Sequence, residues 1–277
     1  MNPDSPAKTA KGRFRPYVLL CGSLLLAAAL LSRSAPETFQ TPGQFSSHSS
    51  LVGLPQIMLW AWERPEDLNF IDPRAVGVAF LAGTLYLRGG KAVVRPRLQP
   101  LRVPDGTALM AVVRIETDWV EPPQLSADQQ RQAVSAIIKL THLPKVVAIQ
   151  IDFDAKASER LFYRGLLSDL RHQFPTPFGL SMTALASWCI HDNWLSDLPV
   201  DEAVPMLFRM GADHLQVILH LRAGKDFSAA LCQHSFGIAT DELLPQVPAA
   251  RRVYLFHPRP WLPQTAHTIL EEVQRWH

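Results

Sequence analysis

Eight short apolar runs recur between residues 56 and 257 of this chain, and several are separated by segments with helical apolar spacing. Alternating strands and helices call for a parallel sheet with helices outside it, because a parallel crossover needs room to return. The runs are Gln56–Trp62, Ala75–Leu81, Leu109–Glu116, Val146–Phe153, Phe178–Leu185, Val204–Phe208, Ser235–Thr240 and Arg252–His257. Thr84–Leu87 and Ala92–Arg95, joined by Arg88–Gly89–Gly90–Lys91, read as a hairpin decorating the main sheet. Ser126 and Gln129 have capping-box spacing ahead of a helix carrying Ala133, Val134 and Ile137. A second helix starts near Ser158, a short one covers Ala212–Leu221, and Ile269, Leu270, Val273 and Trp276 mark a closing one. His214–His220 also reads as a strand. Eight strands in roughly 220 residues predict a compact, irregular α/β fold, the (β/α)8 TIM-like barrel. An open doubly wound sheet is the alternative, but no Gly-rich turn follows the first strand.

The first 54 residues have a different character. Lys8, Lys11, Arg13 and Arg15 oppose only Asp4, so the first 16 residues carry +3 and the remainder −1, for a formal charge of +2 overall. An apolar run from Tyr17 to Leu31 follows, then small residues at Ser32 and Ser34. Residues 1–34 therefore read as a signal peptide or an N-terminal membrane anchor, and either places the rest in the periplasm. Membrane association is expected through this segment alone. Residues 35–54, rich in Ser, Pro, Thr and Gln, read as a flexible linker, leaving 55–277 as the barrel domain. A near-neutral body without a basic run argues against nucleic acid as a partner.

Side chains alternate along a strand, so Gln150, Asp152 and Asp154 share one face while Ile149, Ile151 and Phe153 share the other. The apolar face belongs against helices, which sends both aspartates into the barrel at the carboxyl end, where barrel active sites form. The same alternation pairs Arg114 with Glu116 and Ser181 with Thr183. On adjacent strands, Glu116 would lie near Asp152. Close carboxylates repel, one keeps its proton, and that division into acid and base is what glycosidic hydrolysis requires. The catalytic candidates are Asp154 as acid, Asp152 as its electrostatic partner and Glu116 as the further carboxylate. The bland alternative is an ion-pair plug in which Arg114 or Arg209 neutralises the aspartates.

Six of the seven tryptophans, Trp60, Trp62, Trp119, Trp188, Trp194 and Trp261, leave the ends of strands. They form either a stacking platform for sugar rings or packing on the barrel rim. The expected substrate contacts are Trp60, Trp62, Glu63, Arg114, Gln150, Thr183, Trp188, Trp194 and Arg209. Cys189, His191 and Asp192 are too few for a convincing metal site, and no cofactor is called for. Cys189 and Cys232 form either a disulfide or two buried thiols. Asp201 and Glu202 precede a strand and read as caps or arginine partners.

The stretches Leu59–Pro65, Ile149–Asp154, Leu198–Glu202 and Pro205–Gly211 resemble an uncharacterised family of exported bacterial proteins, domain of unknown function 3142. The resemblance implies a barrel of glycoside-hydrolase type with no established activity. The Ile149–Asp154 segment is also similar to the Asp-x-Asp-x-Glu strand of chitinase-like barrels, with departures. Matching Asp152 and Asp154 to its aspartates puts Lys156 at the acid glutamate, whereas matching Gln150, Asp152 and Asp154 gives Asp for Glu and loses the first carboxylate. Together these readings predict an exported protein that binds a polysaccharide or other glycan and hydrolyses it. The alternatives are a non-catalytic envelope module and a metal-assisted hydrolase.

Overall fold

The computed structural model describes residues 50–242, 244 and 247–274. The basic and apolar segment 1–34, linker residues 35–49 and Trp276 lie outside the described residues. Among those described, no helix is long and apolar enough to cross a membrane.

In chain order the elements are β1 (Ile57–Ala61), β2 (Glu66–Asp67), β3 (Val76–Arg88), β4 (Lys91–Pro96), β5 (Leu101–Arg102), β6 (Leu109–Thr117) and α1 (Ala127–Ile138). Then come β7 (Val146–Asp152), α2 (Arg160–Gln173), β8 (Gly179–Leu185), α3 (Ala186–His191), β9 (Glu202–Met206) and α4 (His214–Arg222). The chain finishes with β10 (Ser235–Ala239), β11 (Arg252–Phe256) and α5 (Pro263–Gln274). Eight strands pair in parallel in the order β1-β11-β10-β9-β8-β7-β6-β3, and β1 also pairs with β3, which closes the cylinder. All eight runs expected as barrel strands are barrel strands. Antiparallel β4 adds to β3 outside the barrel.

The expected hairpin is present, with Thr84–Leu87 antiparallel to Ala92–Arg95. Its first arm is the continuation of a barrel strand: β3 runs unbroken to Arg88 through a register shift at Leu81/Gly83 and stays paired with β6 as far as Leu87–Thr117. β7 accompanies β6 only to Arg114–Asp152, so the upper halves of β3 and β6 rise above the barrel as a ribbon. Five α-helices are present among the described residues rather than one after each strand. His214–Arg222 is helical, so the strand reading of that segment is wrong.

Local chemistry explains the clearest helix. Ser126 Oγ accepts the Gln129 N–H at 3.2 Å, while the Gln129 side chain turns back to the Leu125 N–H at 2.9 Å. Ala133, Val134 and Ile137 then bury one face.

Period-2 alternation sorts the strand side chains into two layers. Outward residues such as Leu59, Val113, Ile149, Ile151 and Leu255 join the large core beneath the helices. Inward residues Met58, Trp60, Met110, Val112, Ala148, Val204 and Tyr254 form a second cluster inside the cylinder. Leu51 and Leu54, in the stretch whose composition reads as linker, belong to that inner cluster and are buried. Arg252 Nη2 donates to the Leu51 carbonyl at 2.8 Å. Two leucines in a polar stretch suffice here because the barrel floor offers an apolar socket beside Gly179, where Leu51 Cδ2 lies 2.3 Å from an ideal Cβ position.

Candidate functional site

The carboxyl ends of the strands surround a cavity of about 490 Å³. Trp60, Trp62, Arg114, Gln150, Asp152, Asp154, Thr183 and Arg209 all line it, so eight of the residues singled out from sequence meet in one place. Strand alternation brings all but one of them there, on the inward parity of their strands; Arg209 follows β9 with φ +50° and enters by the turn instead.

Asp152 is the most tightly held. It is 3% exposed, accepts from Arg114 Nη1 at 2.8 Å on one carboxylate oxygen, and from Thr183 Oγ1 at 2.8 Å on the other. A buried carboxylate is tolerated only with such partners, since desolvating an unpaired charge costs several kcal/mol. The remaining nitrogens of Arg114 reach Glu116 at 3.2 Å and Asp154 at 3.6 Å. One guanidinium thus serves three carboxylates. Burial opposes the Arg114 charge, but Asp152, then Asp154 and Glu116, outweigh it and raise its pKa.

Asp154 is the least well neutralised of the three. Its side chain is 46% exposed, and its pKa is pushed up by burial and then by the charge of Asp152, with Arg114 only partly offsetting both. Asp152 is clamped, and Asp154 holds its proton more strongly than an ordinary aspartate. The ion-pair alternative describes the clamp correctly but not the open space beside it.

An aromatic wall faces this cluster. Phe208 and Phe256 stack at 5.6 Å with planes 4° apart, the Trp60 ring lies 6.1 Å from Phe208, and Trp62 meets Phe256 edge-on at 6.4 Å. Arg209 places its guanidinium 5.1 Å from the Phe256 ring. The wall belongs to β1, β11 and the end of β9, on the far side of the strand circuit from β7. Sequence reasoning missed Phe208 and Phe256, although the alternation that found Asp152 and Asp154 places both inward with Met206 and Tyr254.

Beneath the cavity the barrel axis is polar. Trp60 Nε1 donates to Gln150 at 2.9 Å, and Gln150 donates to Ser181 at 3.1 Å. Ser181 donates to Glu202 at 3.1 Å, and Glu202 also accepts from Tyr254 at 2.5 Å and Arg252 at 3.1 Å. Glu202 and Asp201 are arginine partners, as expected; Asp201 pairs with Arg171 at 2.6 Å.

Other candidates do not reach the cavity. Glu116 stands on the ribbon above it and contributes through Arg114. Glu63 pairs with Arg95 of β4. Trp188 and Trp194 pack edge-on at 5.0 Å outside the barrel, with Arg160 over both rings and Tyr163 beside Trp194. Both are corrections to the substrate-contact set, and their cause is local: α3 begins directly after β8 and carries Trp188 into the helix layer, where Trp194 of the following loop packs on it. Trp261 is buried and donates to the Trp60 carbonyl. Lys156 begins the turn before α2, its backbone N–H donating to Glu159 Oε2 at 2.7 Å, so the alignment placing it at a catalytic acid has no counterpart at the mouth.

Cys189 and Cys232 form a disulfide, and Asp192 pairs with Arg160 at 2.7 Å, which leaves the Cys189–His191–Asp192 set without a thiolate. Among the described residues no three His, Cys, Asp or Glu side chains are grouped to hold a metal ion.

No protein-family model matches the chain, and no curated protein matches it. The resemblance to the exported family therefore stands on its short segments alone. The crystal structure of the Bacillus cereus spore cortex-lytic enzyme SleL is similar to this fold with a TM-score of 0.40 at 14% identity, covering 66% of this chain and 50% of that one. This chain thus spans half the length of that protein.

Proposed function

We propose that the barrel mouth binds a carbohydrate chain and hydrolyses a glycosidic bond, with Asp154 as the proton donor. One observation carries the reading: an aromatic wall of Trp60, Trp62, Phe208 and Phe256 faces a carboxylate cluster across a single cavity. Sugar rings present apolar CH faces to aromatic planes and hydroxyls to charged groups, so they need both surfaces at once. Asp154, its pKa raised by burial and the Asp152 charge, is the carboxyl better disposed to give a proton to a leaving oxygen. Asp152, fixed by Arg114 and Thr183, stabilises positive charge developing on the sugar. Glu116, on the ribbon above the cavity, acts through its pair with Arg114.

The test is a screen of the full chain against envelope polysaccharides, scoring binding and newly formed reducing ends. Asp154→Asn is expected to lower turnover at least a hundredfold while sugar affinity stays within a few-fold. A broad panel giving neither binding nor reducing ends overturns the reading. A second reading, a non-catalytic glycan-binding module, draws on the full engagement of both Asp152 oxygens; it predicts affinity with no turnover to lose.

The same reading puts the barrel in the periplasm, released or held by its first 34 residues. The Cys189–Cys232 disulfide supports an oxidising compartment. A phosphatase reporter fused after residue 49 is expected to be active outside the cytoplasm and inactive once residues 1–34 are deleted.

A further inference from the structure

The ribbon formed by the upper halves of β3 and β6 ends in a built tip that the mouth does not use. Asp118 Oδ1 accepts the N–H groups of Val120 at 2.7 Å and Glu121 at 3.1 Å. Arg88 reaches Asp118 at 3.3 Å and Glu121 at 2.7 Å. Gly89 donates to the Glu121 carbonyl at 3.0 Å, and Gln124 donates back to the Gly89 carbonyl at 2.8 Å. Gly89 has φ +49°, a conformation that favours glycine, and an ideal Cβ there would displace the Glu121 carboxylate, whose Oε1 lies 2.4 Å away. This stitched turn holds out Trp119 at 88% exposure and Val120 at 68%. The Trp119 ring has no ring or hydrogen-bond partner among the described residues. A large aromatic side chain held in water by a rigid turn loses hydrophobic stabilisation without gaining packing.

Its position gives it a use. Five residues of extended chain separate Trp119 from Arg114, about 17 Å at most, and Glu116 lies between them on the same strand. The aromatic plane, the Arg88–Glu121 pair and the Asp118 carboxylate combine the stacking and polar groups that the mouth itself combines.

We propose that this tip is an outer glycan subsite, with Trp119 stacking on sugar units of a polymer that extends beyond the cavity. The proposal rests on the carbohydrate reading of the mouth and adds that the substrate is a chain rather than a mono- or disaccharide.

Calorimetric titration of the full chain with two- and six-residue cello-, chito- and xylo-oligosaccharides tests it. In a series that binds, the hexamer is expected to bind more tightly than the dimer. Trp119→Ala is expected to weaken hexamer binding about threefold to tenfold and leave dimer binding unchanged. Gly89→Ala, which pushes Glu121 away, should reproduce the selective loss. Equal hexamer affinity in wild type and Trp119→Ala, with Trp60→Ala still weakening both oligomers, overturns the tip assignment and spares the mouth. Failure of all three series to bind counts against both. Quenching of tryptophan fluorescence by brominated-lipid vesicles, absent in Trp119→Ala, assigns the tip to a lipid surface and overturns the proposal.

Discussion

Asp154 carries a pH signature that separates its two roles. Its folded-state pKa is raised, by burial first and the Asp152 charge second. At acidic pH the carboxyl is protonated whether the chain is folded or not. As pH rises the unfolded chain releases that proton first, so folding loses stability until the raised folded pKa has been passed. Asp154→Asn never ionises and escapes this loss. The variant is expected to melt at or above the wild-type temperature at pH 7, with the difference shrinking as pH falls through the carboxylate range; melting scans between pH 3 and 8 measure it. Turnover should fall as pH rises through the same raised pKa, because the donor proton is lost. A mutation that abolishes activity while preserving or increasing stability is the mark of a group placed for chemistry.

At the scale of single elements, β10 shows how closely strand and site are fitted. An ideal Cβ on Gly237 would lie 2.5 Å from the Trp60 ring, so the strand is bare where the indole passes. Gly237→Ala is expected to cost about 1–3 kcal/mol through overpacking. It should also shift Trp60 emission by disturbing the bond to Gln150, as denaturant titration followed by fluorescence will show. Gly237 sits in an apolar run that marks a strand, yet nothing along Ser235–Thr240 announces an indole from β1. Strand identity was legible because each barrel strand keeps one face against helices and the other inside, and Val146–Phe153 displays that alternation plainly. Asp152 and Asp154 were found for that reason. Phe208 and Phe256 obey the same parity but passed as ordinary core residues, since inward aromatic rings lack the chemical oddity of inward carboxylates. Trp188 and Trp194 were misplaced because a strand-end position does not reveal where the next helix begins. The hairpin of Thr84–Leu87 with Ala92–Arg95 was legible, but its continuity with Val76–Leu81 was not, because Ala82–Gly83 looks like a break that the chain absorbs as a bulge.

For the molecule as a whole, the floor carries as much polar chemistry as the mouth. Glu202 is 1% exposed and depends on Arg252 for its countercharge, and Arg252 also holds the carbonyls of Leu51 and Pro55. Arg252→Leu leaves that carboxylate buried and unpaired, at an expected cost of about 3–5 kcal/mol in urea unfolding. Replacing Glu202 by Gln in the same chain should recover part of it. The bonds running Trp60–Gln150–Ser181–Glu202–Tyr254 tie β1, β7, β8, β9 and β11 across the inside of the cylinder. They work as a cross-brace: the cylinder resists flattening, and a disturbance introduced at the base is transmitted to the indole on which a sugar would rest.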